Sequence, residues 1–172
     1  MHFTIPSDDR VGKLLRTLVA AKPGGRFLEL GTGVGLSLSW MVSGMDPGAT
    51  IISLDHDDRY VTFASELFAS DDRVKVVCTD GGDWIERYQG PGFDLIFADT
   101  WAGKYTHLPL TLSLLRPGAL YLVDDMLPQE NWPDGHAAKA KKLTDTLMSR
   151  KDLNVCHLDW ASGVLLGTKR PA

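Results

Sequence analysis

The chain has 172 residues, of which 44% are hydrophobic and 23% charged, values typical of one soluble folded domain and not of a disordered chain. The formal net charge of −4 provides no overall positive field, which argues against nucleic acid and anionic membrane surfaces as partners. No apolar run approaches the roughly 20 residues that span a bilayer, and no signal peptide is recognisable, so we expect a cytoplasmic protein.

Helical and strand patterns alternate along the chain. The first helix is predicted to begin near Ser7, with Asp8 and Asp9 in its first turn, and to end at the sequence Lys-Pro-Gly-Gly that follows Ala21. Strands are predicted, in chain order, at 26–30, 50–55, 74–78, 93–99, 119–125, 153–160 and 163–169. Further helices are predicted at 36–42, 57–70, 83–88, 107–115 and 136–150.

This alternation favours an α/β fold, a doubly wound and mostly parallel sheet with helices on both faces. Only Ala161 and Ser162 separate the last two strands, so these strands are predicted to form a hairpin, which makes the last strand antiparallel. Cys78 and Cys156 lie in apolar runs without CxxC spacing, which predicts buried free thiols. No linker or repeat divides the chain, so residues 1–172 are interpreted as one domain.

Each of the first five strands has an acid within two residues of its end. These acids are Glu29, Asp55, Asp80, Asp99 and the adjacent pair Asp124 and Asp125. In open parallel sheets, ligands bind beyond the carboxyl ends of the strands. The acids therefore mark the edge of the sheet where a ligand site is expected.

The first of these strand ends continues into a glycine-rich turn, FLELGTGVGLS. Glycine lets the backbone turn tightly and approach a ligand. The spacing is GxGxG and does not match the GxGxxG dinucleotide fingerprint. Glu29 before the turn would repel a pyrophosphate but attract a cationic ligand group. Asp55 suits the hydroxyls of a ribose or the N-cap of the next helix, and Asp80 suits an adenine amino group or a helix cap.

Four segments together resemble the class I S-adenosylmethionine-dependent methyltransferases: LELGTGVG, ISLDHDDRYVTFA, FDLIFAD and LLRPGALYLVDD. The resemblance implies a Rossmann-like sheet of seven strands with the last one antiparallel, and S-adenosylmethionine as cofactor. It assigns to the cofactor site Glu29, Gly31, Thr32, Gly33, Gly35, Asp55, His56, Asp80, Gly81 and Asp99.

The segments FADTWAGKY and LVDDML further resemble the metal-dependent O-methyltransferases of the catechol and caffeoyl-coenzyme A group. This resemblance implies a magnesium or calcium ion on Asp99, Asp124 and Asp125, which suits hard cations because they take oxygen ligands. Asp125 stands where the family more often has asparagine, and Ala102 stands where its lysine usually lies. Lys104 is therefore the candidate catalytic base, with Asp99 as its catalytic neighbour; the alternative is an exposed lysine near a helix start.

The expected function is transfer of a methyl group from S-adenosylmethionine to a hydroxyl of a small aromatic molecule, by a protein that binds neither nucleic acid nor membrane. A homodimer is the candidate assembly, although the sequence does not determine the oligomeric state. Trp101 and Trp132 are either walls of the acceptor site or packing aromatics. Three alternatives stay open: a metal-independent methyltransferase of the same fold, a non-catalytic protein that binds an adenosyl ligand, and a nicotinamide dehydrogenase.

Overall fold

The computed structural model describes residues 8–129 and 132–171, which form seven strands and six helices. The strands are β1 (Arg26–Leu30), β2 (Thr50–Asp55), β3 (Val74–Cys78), β4 (Phe93–Ala98), β5 (Leu115–Val123), β6 (Leu153–Leu158) and β7 (Val164–Lys169). The helices are α1 (Asp9–Ala20), α2 (Leu36–Gly44), α3 (Asp58–Leu67), α4 (Gly81–Arg87), α5 (Leu108–Ser113) and α6 (His136–Met148).

All seven strands join one sheet in the order β3-β2-β1-β4-β5-β7-β6. The pairs among β1 to β5 are parallel, and β7 runs antiparallel to both of its neighbours, β5 and β6. The predicted Rossmann-like sheet with an antiparallel last strand is confirmed. The chain leaves β1 toward β2 on one side and returns to β4 on the other, which creates the switch point where such folds bind ligands.

Helices cover both faces of the sheet, because successive strand residues point to opposite sides. In β4, the fully buried Leu95 and Phe97 pack with the apolar residues of α1 and α2. Their neighbours Ile96 and Ala98, also fully buried, pack with those of α5 and α6. The central strands are therefore hydrophobic on both faces, which accounts for their unbroken apolar sequences.

The first helix begins at Asp9, two residues after the predicted start. Asp8 is its N-cap, and the Asp8 side chain accepts from the amide of Arg10 at 2.8 Å. Ser7, the predicted start, lies outside the described residues. Val11, Leu15 and Val19 recur at helical spacing and are 0 to 1% exposed, so this stripe anchors α1 to the sheet.

Two further predictions need correction. β5 begins at Leu115 and ends at Val123, so Asp124 and Asp125 lie beyond the strand. Cys78 and Cys156 are exposed rather than buried, because they belong to β3 and β6, the two edge strands of the sheet. Within the described residues, no helix is long and apolar enough to cross a membrane.

Candidate active site

The glycine-rich turn after β1 is fixed to the end of β2. The amides of Gly31 and Thr32 both donate to the carbonyl of Leu54, at 2.9 and 3.1 Å. Gly31 has φ of 105°, and a Cβ atom there would lie 3.2 Å from the carbonyl oxygen of Asp99. Only glycine fits this conformation and this close approach, so the turn brings β1 and the end of β4 together.

Glu29 lies beneath this turn and is completely buried. Its carboxylate accepts from the Ser37 hydroxyl at 2.6 Å and from the Ser53 hydroxyl, which in turn lies 2.6 Å from the Thr32 hydroxyl. Burial raises the pKa of Glu29 to about 7, although the two serine hydrogen bonds act against that shift. Glu29 therefore ties α2, β2 and the turn together from below.

This buried acid predicts a pH dependence of stability. Glu29 holds its proton more tightly in the folded chain than in the unfolded one, so the stability it contributes is complete below about pH 4.5 and is lost as pH rises through about 7. Over that interval the free energy of unfolding should fall by roughly 3 kcal/mol on account of this group. Urea denaturation of the unliganded protein at several pH values measures the slope.

The control is Glu29→Gln, which keeps the size and hydrogen-bonding capacity of the side chain but cannot ionise. The variant should lose this part of the decline while every other titrating group still contributes to both proteins. Parallel stability curves for the two proteins between pH 5 and 7 would contradict the assignment.

Asp55, at the end of β2, supports the same turn from the side. One carboxylate oxygen accepts from the amide of Gly33 at 2.9 Å, and the other accepts from the amide of Asp57 at 3.0 Å. The N-cap of α3 is Asp57 and not Asp55. Asp80, by contrast, does cap α4, because its side chain accepts from the amide of Asp83 at 2.9 Å.

A cavity of about 640 Å³ opens above these strand ends, and we call it the first cavity. The residues from the predicted cofactor set that line it are Gly31, Gly33, Asp55, His56, Asp80, Gly81 and Asp99. Glu29 and Thr32 lie beneath the turn, 0 and 2% exposed, and Gly35 faces Ala64 and Phe68 of the α3 region. These three support the wall rather than form it.

Sequence reasoning missed several residues of the first cavity. They are Tyr60, Thr79, Gly82, Thr100, Ala102, Thr106 and His107, whereas Trp101, which also lines this cavity, was predicted only as a possible wall of the acceptor site. Most belong to the segment 100–107 that follows β4, a turn without hydrophobic periodicity. The only signal in the sequence was the position of this segment directly after a strand-end acid.

The predicted carboxylate cluster forms beside the first cavity. Asp124 is buried, Asp99 is half-buried and lines both cavities described below, and Asp125 adopts a left-handed φ of 55°. Burial, followed by the charges of Asp124 and Asp125, raises the pKa of Asp99 well above its usual range. Burial also raises the pKa of Asp124 to about 6. The strand ends therefore bring the three acids close together.

Lys104 belongs to this cluster. It is only 5% exposed, so the alternative of an exposed lysine is wrong. Its ammonium donates to the backbone carbonyl of Asp124 at 2.6 Å. Burial lowers the pKa of Lys104, and the neighbouring carboxylates, Asp99 first, act in the opposite direction.

Two distant segments hold the cluster in position. Gly103, with φ of 82°, packs against Leu30, and its carbonyl accepts from the buried hydroxyl of Tyr121. On the other side, the Ser162 hydroxyl donates to the Asp124 carboxylate. In the turn before β7, the carbonyl of Gly163 also accepts from the amide of Met126 at 3.0 Å, and the carbonyl of Ser162 accepts from the amide of Leu127 at 2.9 Å.

A second cavity, of about 500 Å³, lies on the far side of the cluster. Four rings line it: Trp101, Tyr105, Trp132 and His136. The Tyr105 hydroxyl lies 3.1 Å from Nε2 of His136. Burial, then the charges of Lys104 and Lys139, lowers the pKa of His136. The two cavities share a border formed by Asp99, Thr100, Trp101 and Asp125.

Comparison with known proteins identifies the family. Residues 28–126, more than half of the chain, match a family described as a methyltransferase domain. The chain belongs to this methyltransferase family. The matched segment of the methyltransferase runs from β1 to just beyond the carboxylate pair, so it contains the glycine-rich turn and the strand-end acids.

Relatives and solved structures agree with this assignment. The methyltransferase is 32% identical over 129 residues to catechol O-methyltransferase B of Danio rerio, covering 69% of this chain and 49% of that protein. Its fold matches cofactor-bound Rv0187 from MTB with a TM-score of 0.85 and 24% identity, over 99% of this chain and 84% of the other. It also matches the O-methyltransferase TomG from Streptomyces achromogenes in complex with SAM, with a TM-score of 0.83 and 21% identity, over 96% of this chain and 82% of the other. The chain spans about half the length of the curated relatives it matches.

Proposed function

We propose that this methyltransferase transfers a methyl group from S-adenosylmethionine to a hydroxyl oxygen of a small aromatic molecule. The observation that carries the proposal is the pair of adjoining cavities, one against the glycine-rich turn and one lined by aromatic rings. A methyl donor in the first cavity and an acceptor in the second would meet at their shared border. Relatives that are named as catechol O-methyltransferases support the same assignment.

The first cavity fits S-adenosylmethionine. Gly31 and Gly33 offer a backbone surface without side chains, which suits the methionyl part of the cofactor. Asp55 would accept from the ribose hydroxyls, because a carboxylate can receive several hydrogen bonds at once. Asp80 and Gly81 would lie near the adenine. Glu29, although predicted to belong to this site, would act through the turn that it supports.

The second cavity suits a flat acceptor. The Trp101 and Tyr105 rings meet edge to face with centroids 5.3 Å apart, and the Trp132 and His136 centroids are 4.6 Å apart. Aromatic walls of this kind bind planar molecules by dispersion and by ring-edge contacts. Trp101 is 49% exposed and borders both cavities, so it would limit the position of the acceptor near the methyl donor.

When bound, S-adenosylmethionine supplies a methyl group that passes to the acceptor oxygen while sulfur keeps the bonding electron pair. His136, whose pKa is lowered by burial and by the charges of Lys104 and Lys139, would accept the hydroxyl proton. The Lys104 ammonium would stabilise the oxyanion rather than act as the base, since it already donates to Asp124. Asp99 would act through Lys104 at the border of the two cavities.

The divalent ion implied by the family does not fit the cluster. The Asp124 carboxylate is 1% exposed and accepts from the Asp125 amide at 2.8 Å and from the Ser162 hydroxyl. Among the described residues, no group of three or more His, Cys, Asp or Glu side chains is arranged to hold an ion. The proposed reaction therefore has no step through a metal.

Two measurements test the proposal. S-adenosylhomocysteine should raise the melting temperature of the protein and NAD should not, because a ligand bound only to the folded state stabilises it. With labelled S-adenosylmethionine, a panel of phenols and catechols should yield at least one O-methylated product. Binding without any turnover would favour the non-catalytic alternative, and stabilisation by NAD alone would favour the dehydrogenase.

A further inference from the structure

Lys104 is a buried cation that the family pattern does not explain. The family's usual lysine position is Ala102, which borders the first cavity, whereas Lys104 reaches the second cavity. A buried ammonium is strongly unfavourable unless opposite charges and hydrogen-bond acceptors surround it. Here burial lowers the pKa of Lys104, whereas the charges of Asp99, Asp125 and Asp124 act in the opposite direction and favour the ammonium. The Asp124 carbonyl supplies an acceptor at 2.6 Å.

Specific hydrogen bonds fix the position of Lys104. Gly103 allows the turn that directs Lys104 inward, and Tyr121 fixes that turn through the Gly103 carbonyl. The Asp124 carbonyl, 2.6 Å from Nζ, receives one of the three ammonium hydrogens. The ammonium thus donates to the backbone just beyond β5, and the turn that carries Lys104 is fixed by a side chain of β5.

The same contacts leave the acids unsuited to a divalent ion. A hard cation needs several oxygen atoms that converge on one point with free lone pairs. At Asp124 the backbone oxygen accepts from Lys104, and one carboxylate oxygen accepts from both Ser162 and Asp125. An added divalent ion would also be repelled by the ammonium already among the acids.

We infer that the Lys104 ammonium is the resident cation of the Asp99, Asp124 and Asp125 cluster, and that it replaces the divalent ion of the related enzymes. The second carboxylate of the pair, Asp125, fits this inference. An asparagine there would suit a dication with two carboxylates, whereas a lysine carries less charge and is accompanied by a third acid. The consequence for the reaction, methyl transfer without a divalent ion, rests on the proposed function.

The first test uses the wild-type chain with bound S-adenosylhomocysteine. Magnesium, calcium or manganese chloride, compared with EDTA, should leave its melting temperature unchanged to within about 1 °C, because a ligand that does not bind cannot shift unfolding. A metal-dependent rise that Asp124→Asn abolishes would overturn the inference. This measurement requires no acceptor, so it is independent of whether methyl transfer is observed.

The second test removes the ammonium. Lys104→Met leaves three acids without a cation, so the same salts should now raise the melting temperature by about 5 °C or more. Lys104→Arg keeps the positive charge, so its melting temperature should not respond to these salts. Lys141→Met, at an exposed lysine paired with Asp145, is the matched control and should show no gain.

A folded Lys104→Met variant that does not respond to metal would overturn the inference. If that variant does not fold, the wild-type measurement decides alone, because binding of metal contradicts the inference and absence of binding supports it. Where an acceptor is found, turnover in EDTA should equal turnover in magnesium. If no acceptor is found but the metal titrations give the expected results, the proposed function fails and the resident cation stands.

Discussion

Asp55→Ala is expected to weaken the binding of S-adenosylhomocysteine by at least about 100-fold, because it would remove the charged acceptor proposed for the two ribose hydroxyls. It would also release the Gly33 amide, which Asp55 holds at 2.9 Å, so the glycine-rich turn would lose its support. Calorimetric titration of the purified variant measures the loss. Circular dichroism should show that the fold is retained.

The matched control for this variant is Asp57→Ala. Asp57 is two residues away, and its side chain caps α3 by accepting from the Arg59 amide at 3.0 Å. It does not line the first cavity, so this variant should lose helix stability, about 1 kcal/mol, without a large loss of affinity. Equal losses of affinity in the two variants would show that Asp55 acts only through local stability.

Gly163→Ala is expected to lower the free energy of unfolding by about 3 kcal/mol, from left-handed strain and overpacking together. Gly163 has φ of 85°, and an added Cβ would overlap the amide nitrogen of Leu127. Backbone atoms cannot move aside as the end of a flexible side chain can. The segment after Asp125 would therefore shift, and the second cavity would lose its shape. Urea denaturation measures the change.

Gly118→Ala is the control for the backbone conformation alone. Gly118 has a similar φ of 77°, but nothing lies within 4 Å of the position of an added Cβ. The variant should lose only about 1 kcal/mol, the cost of the left-handed conformation. If the two glycine variants were equally stable, the contact between the turn before β7 and the segment after β5 would not matter for stability.

The fold could be predicted because its strands are short apolar runs, several of which have an acid at or near the end. RFLEL and TIISLD, for example, form β1 and β2 with the predicted limits. The local sequence pattern did not predict the burial of a side chain where that burial depends on the position of the strand in the sheet. The cysteines of β3 and β6 look buried in sequence, but the strand order puts both strands at the edges of the sheet.

The candidate site was predictable only in part, for the same reason. Acids at strand ends can be located from sequence, since parallel strands end at one edge. The burial of Lys104 depends on Gly103, on a hydroxyl from β5 and on the Asp124 carbonyl, 20 residues away in the chain. No local sequence rule reports such contacts. The hydrogen bond from Ser162 to Asp124 is more distant still.

The dependence of Asp124 on Ser162 sets an order of assembly during protein synthesis. The residues that line the first cavity end at Asp125, whereas the second cavity includes Ala161 and Ser162. Contacts between residues so far apart in sequence form late, because a long loop must close first. During synthesis, every residue that lines the first cavity therefore leaves the ribosome before the residues that complete the second cavity.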